Sequence, residues 1–504
     1  MLLKRAGSGN RTGGGNSPPP VQRAVLVAHA GFEPAISALR GRCPRPLDEC
    51  APWTFRIPDA PSKRQNAPIV RWPWSVVGLL LLVAAAACSP RAAAPVATTP
   101  TSTAAPSAAA TPAPAAEAGY RAILADVARL RGLPVPANLE IRFVSRADLP
   151  ALLDQLLTEE DRRWFAQTTT LYRLLGHFRP DQNYLDIYRS FGASAVLGLY
   201  APDHDTLWVV REGDEMPDPA ELTPDELETL AHEFVHALQD GRFDLGATYR
   251  RIVDDLDRNL AWTAVVEGDA VYTSGLYRRQ RGVWVPLGRA FALAAAEPLA
   301  GQLGEVPPSI LRELYFPYTT GADWARYVVE QLGWRRLDAF LEEPPLGTSI
   351  ILHEELAVGT WAPESVPEPD PRPALRGRWE QESAGHFGEF SLRNFLQLRL
   401  SAAEAGAAAA GWTGDAYAVY TNGSAHLAVF ELRFEQLGDA EACADAVSLL
   451  LERSGARSSL AGGISVSALP DGREFALLRR GRSVYLAIAD APDLALPSIE
   501  AIVR

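Results

Sequence analysis

The chain has 504 residues, 47% of them hydrophobic and 22% charged, so it is long enough to form two or three domains with substantial cores. Asp and Glu number 61 against 48 Lys and Arg, and because residues 1–87 are basic, the rest of the chain is more acidic still. This acidity argues against nucleic acid as a partner and fits an exported protein kept soluble by its charge.

The N-terminal part of the chain is predicted to stay outside the folded body. Residues 1–69 are rich in Gly and Pro and lack a periodic element, so we expect a non-native or disordered extension. Residues 70–88 place an apolar run after basic residues and end in an A-A-A-C sequence, which resembles a bacterial lipobox. Cleavage there would leave Cys88 as a lipidated first residue; a plain anchor helix is the alternative. Residues 89–116, mostly Ala, Pro, Thr and Ser, are predicted to be a flexible linker.

Residues 117–365 are predicted to form a catalytic unit of α+β class, with a small sheet over a helical bundle. A hairpin is expected around residues 201–205, where His204 is interpreted as a solvated turn residue rather than a ligand. The predicted strands are 139–144, 195–200 and 206–210, and the predicted helices include 120–130, 149–157, 159–175 and 322–332.

The most informative stretch is an H-E-x-x-H sequence in a predicted helix that begins with a capping box at Thr223. Residues four apart project from one helix face, so His232 and His236 are placed to bind one metal ion. Two histidines and Glu233 interrupt an otherwise apolar run, which is unfavourable in a core unless they are paired or bound to a metal. The alternative, a solvated helix face with surface histidines, fits this apolar run less well.

Catalytic zinc requires a third protein ligand, and the best candidate is Glu267, which interrupts a second apolar helical segment from Leu260 to Tyr272. Asp269 is a candidate to orient a ligating histidine through a hydrogen bond, although capping or pairing with an arginine are equally open roles. Asp240 and Asp244 are weaker candidates for the same orienting role.

H-E-x-x-H followed by E-G-D-A resembles the gluzincin metallopeptidases, and in particular small predicted bacterial gluzincins that are often lipoproteins. The resemblance implies a zincin-like fold, a Zn²⁺ cofactor, ligation by His232, His236 and Glu267, and a general-base role for Glu233. It also implies an edge strand upstream of the metal helix that holds an extended substrate.

Gluzincins commonly place a Tyr or His beside the developing oxyanion, and His353 is the first candidate here. The related lipoproteins carry a P-P-x-S-T-E-Q-I-x-H-P-like stretch, whereas this chain has G-T-S-I-I and then Glu354 after His353. His353 is therefore predicted as an oxyanion donor or substrate-binding residue, with Tyr315 and Tyr318 as further candidates and simple packing as the alternative for all three.

Residues 366–384 are predicted to be a linker, and residues 385–504 a C-terminal α+β accessory domain without a catalytic constellation. Trp412 is expected to pack in this domain. Cys443, the one cysteine left in the body after processing at Cys88, is expected to be buried as a small apolar residue.

The sequence therefore predicts a zinc-dependent peptidase that acts on a peptide or protein substrate, anchored by lipid to the membrane in the bacterial cell envelope, outside the cytoplasm. Two alternatives remain: a catalytically silent zincin-fold protein for binding or assembly in the envelope, and a hydrolase of a non-peptide amide in cell-wall material.

Overall fold

The computed structural model describes residues 114–195, 198–211, 218–282 and 306–503. The predicted extension 1–69, the signal segment with Cys88 and residues 89–113 of the predicted linker lie outside these ranges. All described residues belong to one compact unit, and they mix helices with strands, as predicted, with helices in the majority. Within these ranges no helix combines the length and apolarity needed to cross a bilayer.

Helices dominate the part of the chain before residue 352, and the first of them begins inside the predicted linker. In chain order they are α1 (Pro114–Arg131), α2 (Leu149–Leu156), α3 (Glu159–Leu175), α4 (Tyr184–Ala195), α5 (Pro224–Phe243), α6 (Leu245–Ile252), α7 (Leu256–Gln280), α8 (Pro308–Phe316), α9 (Ala322–Leu332), α10 (Trp334–Glu342) and α11 (Ser349–Leu352). A π-helical turn, Pro317–Gly321, joins α8 to α9.

A three-stranded sheet accompanies these helices. It consists of β1 (Glu140–Ser145), β2 (Gly198–Ala201) and β3 (Thr206–Arg211), in the order β1-β3-β2. β2 and β3 pair antiparallel around a short 3-10 turn that ends at the exposed His204, which confirms the predicted hairpin and the solvated position of that histidine. β1 pairs parallel with β3, so β2 lies at an edge of the sheet among the described strands.

α5 and α7, which carry the predicted metal ligands, pack against each other at the centre of the unit. The predicted capping box starts α5: the Thr223 side chain accepts from the Glu226 amide, and Glu226 accepts from the Thr223 amide in return. α7 extends beyond the predicted 260–272 segment and is buried on nearly all sides, which is typical of a central helix that is apolar around its circumference.

The C-terminal part is built on a seven-stranded antiparallel sheet in the order β4-β5-β6-β10-β9-β8-β7. Its strands are β4 (Glu380–Gly385), β5 (Trp412–Thr421), β6 (His426–Phe434), β7 (Arg457–Ala461), β8 (Ile464–Ala468), β9 (Glu474–Arg480) and β10 (Ser483–Ala489). Its helices are α12 (Gly388–Leu396), α13 (Ala402–Ala409), α14 (Leu437–Arg453) and α15 (Ala495–Ile502). β4 begins inside the segment predicted to be a linker. The sequence of this strand is polar and does not alternate between apolar and polar residues, so it does not predict a strand.

The two faces of this sheet differ. Alternate residues such as Phe430 and Leu432 face the main core, which continues into the helical part of the unit, whereas Leu427 and Val429 face a smaller cluster covered by α15. Cys443 and Trp412 are buried, as predicted. The core that contains α5 and α7 is thus continuous with one face of the C-terminal sheet.

Candidate metal centre

The structure brings the three predicted ligands together at the α5–α7 contact. His232 Nε2 lies 3.1 Å from Glu267 Oε2 and 3.0 Å from His236 Nε2, and His236 Nε2 lies 3.3 Å from the same carboxylate oxygen. All three side chains are buried. Two imidazole nitrogens and one carboxylate oxygen therefore form a nearly equilateral triangle inside the protein.

The dimensions of this triangle fit zinc. Tetrahedral coordination with zinc–ligand distances near 2.0 Å separates neighbouring ligand atoms by about 3.3 Å. The chemistry of the donors also fits, since two imidazoles and one carboxylate leave a fourth position open, as catalytic zinc sites do. Within the described residues, these three form the one group of His, Cys, Asp and Glu side chains found to meet the geometric requirements of a metal site.

The electrostatics of the triangle show that it favours a positive charge. Burial alone would raise the pKa of Glu267, but the two imidazoles beside it outweigh burial and lower that pKa to about 2. Burial would lower the pKa of His236, but the Glu267 carboxylate raises it to about 9. Without a metal, a proton on His236 therefore supplies the cation that these three atoms require.

Glu233 lies beside the triangle rather than in it. Its carboxylate is buried, and no side chain among the described residues donates a hydrogen bond to it. Burial raises the pKa of Glu233 to about 8, although the charge of His236 and a backbone hydrogen bond from Tyr200 lower it, and the charge of Glu267 adds to the rise. A carboxylate with such a pKa can accept and return a proton near neutral pH, as a general base must.

The edge strand β2 passes directly over Glu233. A Cβ added to Gly198, the first residue of β2, would lie 2.7 Å from the Cγ of Glu233, so only glycine permits this approach. Tyr200 on the same strand donates a hydrogen bond from its hydroxyl to Asp240 on α5, at 2.9 Å. The strand is thus held against the helix that carries H-E-x-x-H.

Gln239, which no sequence pattern indicates, contacts His236 of the triangle. Its Oε1 lies 3.0 Å from His236 Nδ1. Its Nε2 donates to the carbonyl oxygen of Val266 at 3.0 Å and to Asp269 Oδ2 at 2.8 Å, which fixes the orientation of the amide. Because Oε1 can only accept, neutral His236 carries its proton on Nδ1 and directs the lone pair of Nε2 into the triangle.

Asp269 contacts Gln239 and has no direct bond to His232 or His236; it instead pairs with an arginine, one of the roles that the sequence left open. It also accepts from Thr273 Oγ1 at 3.0 Å and from the Nε of Arg131, 2.8 Å from Oδ1. Arg131, at the end of α1, is buried and donates as well to Asp338 Oδ1 at 2.5 Å. A chain of hydrogen bonds thus runs from α1 through α7 and α5 to the metal ligand.

Tyr318 covers the other side of the triangle. It lies in the π-helical turn, and its ring stacks on that of His232 with centroids 6.2 Å apart. Its hydroxyl is buried close to the Glu267 carboxylate. Burial raises the pKa of Tyr318 well above its usual range, and the charges of Glu267 and Glu233 raise it further, so the phenol stays a donor.

Two glycines allow this turn to approach. A Cβ on Gly268, next to Glu267 in α7, would overlap the carbonyl group of Gly321 at the end of the turn. A Cβ on Gly321 would lie 2.5 Å from the carbonyl oxygen of Ala264. The glycine of the E-G-D-A sequence is thus explained by a close backbone crossing that brings Tyr318 to the ligands.

His353 is held elsewhere. Its Nε2 lies 3.0 Å from both carboxylate oxygens of Glu389, which also accepts from the Ser349 hydroxyl at 2.7 Å and contacts Arg393. The neighbouring Thr348 donates from its amide and hydroxyl to Asp257 in the first turn of α7. The G-T-S stretch thus anchors the segment to α7 and α12, and the contacts of His353 do not include the triangle.

The remaining acidic candidates have structural partners. Asp240 accepts from the Tyr200 hydroxyl and from the Leu245 amide, 2.9 Å from each. Asp244 begins α6 with its side chain accepting from the Ala247 amide at 2.8 Å. Tyr315 is partly buried, and the contacts described for the triangle do not include it.

Comparison with known proteins adds one match. Residues 377–499 match the model of a family described as "Domain of unknown function (DUF8575)". This range spans β4 to most of α15 and contains neither His232, Glu233, His236 nor Glu267. No curated protein and no solved structure matches the chain.

Proposed function

We propose that this protein is a zinc-dependent peptidase of zincin-like fold in which His232, His236 and Glu267 hold the metal. The triangle of two Nε2 atoms and one Oε2, with side lengths of 3.0 to 3.3 Å, is the observation that carries the proposal. When bound, zinc supplies a Lewis acid that polarises a carbonyl group and makes water acidic enough to react near pH 7.

Glu233 is the general base of the proposed reaction. It takes a proton from the attacking water and returns that proton to the nitrogen of the leaving amine. No side chain among the described residues donates a hydrogen bond to its carboxylate, which leaves the group available for this transfer. Burial raises the pKa of Glu233, and the charge of a bound zinc ion would lower it again towards the ionised form that a base requires.

Tyr318 is the oxyanion donor that the geometry favours over His353. Its hydroxyl is buried beside Glu233 and Glu267, and its ring stacks on that of His232. A preorganised donor in a dry site stabilises the negative charge that develops on the carbonyl oxygen. His353 instead shares the Glu389 carboxylate with Ser349 and Arg393.

β2 is the part of the site that would hold an extended substrate. It has a strand partner on one side only among the described strands, and Gly198 brings it against Glu233. A peptide that adds to this edge would place its backbone alongside the general base. The proposal includes export and lipid anchoring through Cys88, which rest on the sequence of residues 70–88 alone.

The test is zinc content together with hydrolysis, measured on the purified protein and on Glu233→Gln and Glu267→Ala variants. We expect about one zinc per chain in the wild type and in Glu233→Gln, and less in Glu267→Ala. Hydrolysis of a peptide library should vanish in Glu233→Gln with its zinc retained. Wild-type protein that takes up no zinc would refute the proposal. If the zinc-loaded protein cleaves only non-peptide amides, it is the hydrolase of cell-wall material. If it binds zinc but hydrolyses nothing, it is the catalytically silent envelope protein.

A further inference from the structure

A cavity lies away from the metal centre, between the end of α3 and the C-terminal sheet. Its volume is about 530 Å³, which is within the usual range for small-molecule sites. Four arginines and two histidines line much of it: Arg173, Arg179, Arg399 and Arg473, with His177 and His426. We call this cavity the arginine pocket.

The charge of the arginine pocket contrasts with that of the chain, whose net charge is −13. Its arginines come from three separate segments, so their proximity is created by the fold and not by a basic run. Two carboxylates also line the pocket, and each has a partner: Asp471 accepts from Arg473 at 2.7 Å, and Asp490 lies 2.8 Å from His426. The other arginines keep the pocket positive.

Arg173 and Arg399 have donor capacity to spare. Arg173 uses two of its groups, Nε and one terminal nitrogen, on the carbonyl oxygen of Gln182, and Arg399 uses one terminal nitrogen on its neighbour Leu398. A guanidinium group has five N–H donors, so each retains donors beyond the bonds found in the described part of the chain. The guanidinium group of Arg179 is hydrogen-bonded only to the exposed Asp181, at 3.3 Å, among the described residues.

His177 gives an independent indication of a ligand. It is 6% exposed, and its Nδ1 has no hydrogen-bond partner among the described residues. Burial, together with Arg312 and Arg473, lowers the pKa of this imidazole to about 3, so it is neutral at physiological pH. A buried polar atom without a partner is uncommon and is explained when a bound molecule supplies one.

We propose that the arginine pocket binds an organic anion with two or more negative charges on phosphate or carboxylate groups. Guanidinium groups recognise both groups by paired N–H···O bonds. The apolar side chains of Leu174, Phe178 and Pro180 in the same wall accommodate the body of the ligand. Arg399, His426 and Arg473 lie in the range that matches DUF8575, so that region contributes directly to the site. This site is independent of the metal centre and of the proposed peptidase activity.

The test is calorimetric titration of the full chain with inorganic pyrophosphate and with citrate at low ionic strength. We expect one saturable site per chain and a loss of affinity of roughly tenfold or more in the Arg173→Ala/Arg399→Ala variant, because charge-assisted hydrogen bonds are removed. The matched control is Arg457→Ala/Arg479→Ala, which removes two exposed arginines of the same sheet outside the pocket.

Tighter binding of pyrophosphate would identify a phosphate ligand, and tighter binding of citrate a carboxylate ligand. If the Arg173 substitution perturbs folding, Arg399→Ala alone should still weaken binding severalfold, since its guanidinium group contacts only Leu398 among the described residues. The absence of saturable binding of either anion to the wild type would overturn the proposal. Equal loss of affinity in the control variant would overturn it as well.

Discussion

Gln239 Oε1 lies 3.0 Å from His236 Nδ1, and this contact determines which nitrogen of the histidine faces the metal site. The amide cannot be reversed without directing its oxygen at the Val266 carbonyl oxygen and the Asp269 carboxylate. The ring of His236 is therefore already oriented as a ligand, and it needs only to lose its proton on Nε2 when a metal binds. Such preparation reduces the reorganisation that metal binding requires.

Replacing Gln239 by Met keeps the length of the side chain and removes the acceptor. We expect zinc affinity to fall by roughly 10- to 100-fold, because His236 loses the bond that orients it. Competition with a chromophoric chelator measures this affinity directly. Gln167→Met, which makes the same change beside β4, is the control and should leave affinity unchanged. Unaltered zinc affinity in a folded Gln239→Met protein would contradict the orienting role.

Arg131 is the buried end of the same network. Replacing it by Met leaves Asp269 and Asp338 without their cation, and we expect a loss of about 3–5 kcal/mol in the free energy of unfolding. Arg129→Met removes an exposed arginine two residues away, which contacts Asp126, and should change stability by less than about 1 kcal/mol. Urea unfolding of both variants measures the difference in their free energies of unfolding. Similar losses in the two variants would show that Arg131 does not support the metal centre.

Gly268 is predicted to tolerate no side chain. In Gly268→Ala the new methyl group would overlap the carbonyl group of Gly321, so α7 and the π-helical turn must separate. We expect a loss of about 1–3 kcal/mol in stability, as for other overpacked sites, together with weaker zinc binding. Gly406→Ala, in α13 with open space around it, should instead stabilise the protein by roughly 0.5–1 kcal/mol. Thermal unfolding measures both, and a neutral Gly268→Ala would be incompatible with this crossing.

The elements that sequence predicts best are those with local signals. The capping box at Thr223, the spacing of His232 and His236 and the hairpin around His204 depend on residues within a few positions of one another, and the structure has all three. Glu267 is predictable because an isolated carboxylate in an apolar helix is unfavourable without a partner. Gln239 interrupts an apolar run in the same way, three residues after His236, but an uncharged amide is a weaker indication of a functional site.

The rest depends on contacts between distant segments. Arg131 reaches Asp269 across 138 positions, and no pattern near either residue indicates the other. Tyr318 lies at the metal site because two glycine backbones cross, whereas His353, favoured from the family resemblance, is held by Glu389, a partner 36 positions later. β4 was missed because a polar edge strand derives its stability from its neighbour and not from its own side chains.

Tyr318→Phe removes the proposed oxyanion donor without changing the packing on His232. We expect turnover of a cleavable peptide to fall by roughly 10²- to 10³-fold, the usual effect of losing one such donor, with zinc content unchanged. Steady-state kinetics gives kcat and KM separately, and we expect the loss in kcat and not in KM. Tyr272→Phe is the control, since that hydroxyl contacts Glu330 at 3.5 Å and not the site. Full activity in Tyr318→Phe would remove this residue from the mechanism.

Asp257 links the start of α7 to the G-T-S stretch and is buried. Its Oδ1 accepts from the amide and hydroxyl of Thr348, at 3.0 and 2.5 Å, while Oδ2 has no partner among the described residues. Burial raises the pKa of Asp257 to about 8, despite the two bonds from Thr348. The folded protein thus retains a proton on Asp257 that the unfolded chain releases near pH 3.9.

The unfolded chain binds fewer protons at Asp257 between about pH 4 and pH 8, so this group makes stability fall as pH rises through that window. Asp257→Asn keeps the acceptor for Thr348 and removes the titration. We expect the variant to gain stability relative to the wild type from pH 5 to pH 8, by at most about 1.4 kcal/mol per pH unit. Urea unfolding across this range tests it, with Asp126→Asn, a half-exposed position, as control. A difference that stays constant with pH would show that Asp257 is already ionised in the folded protein.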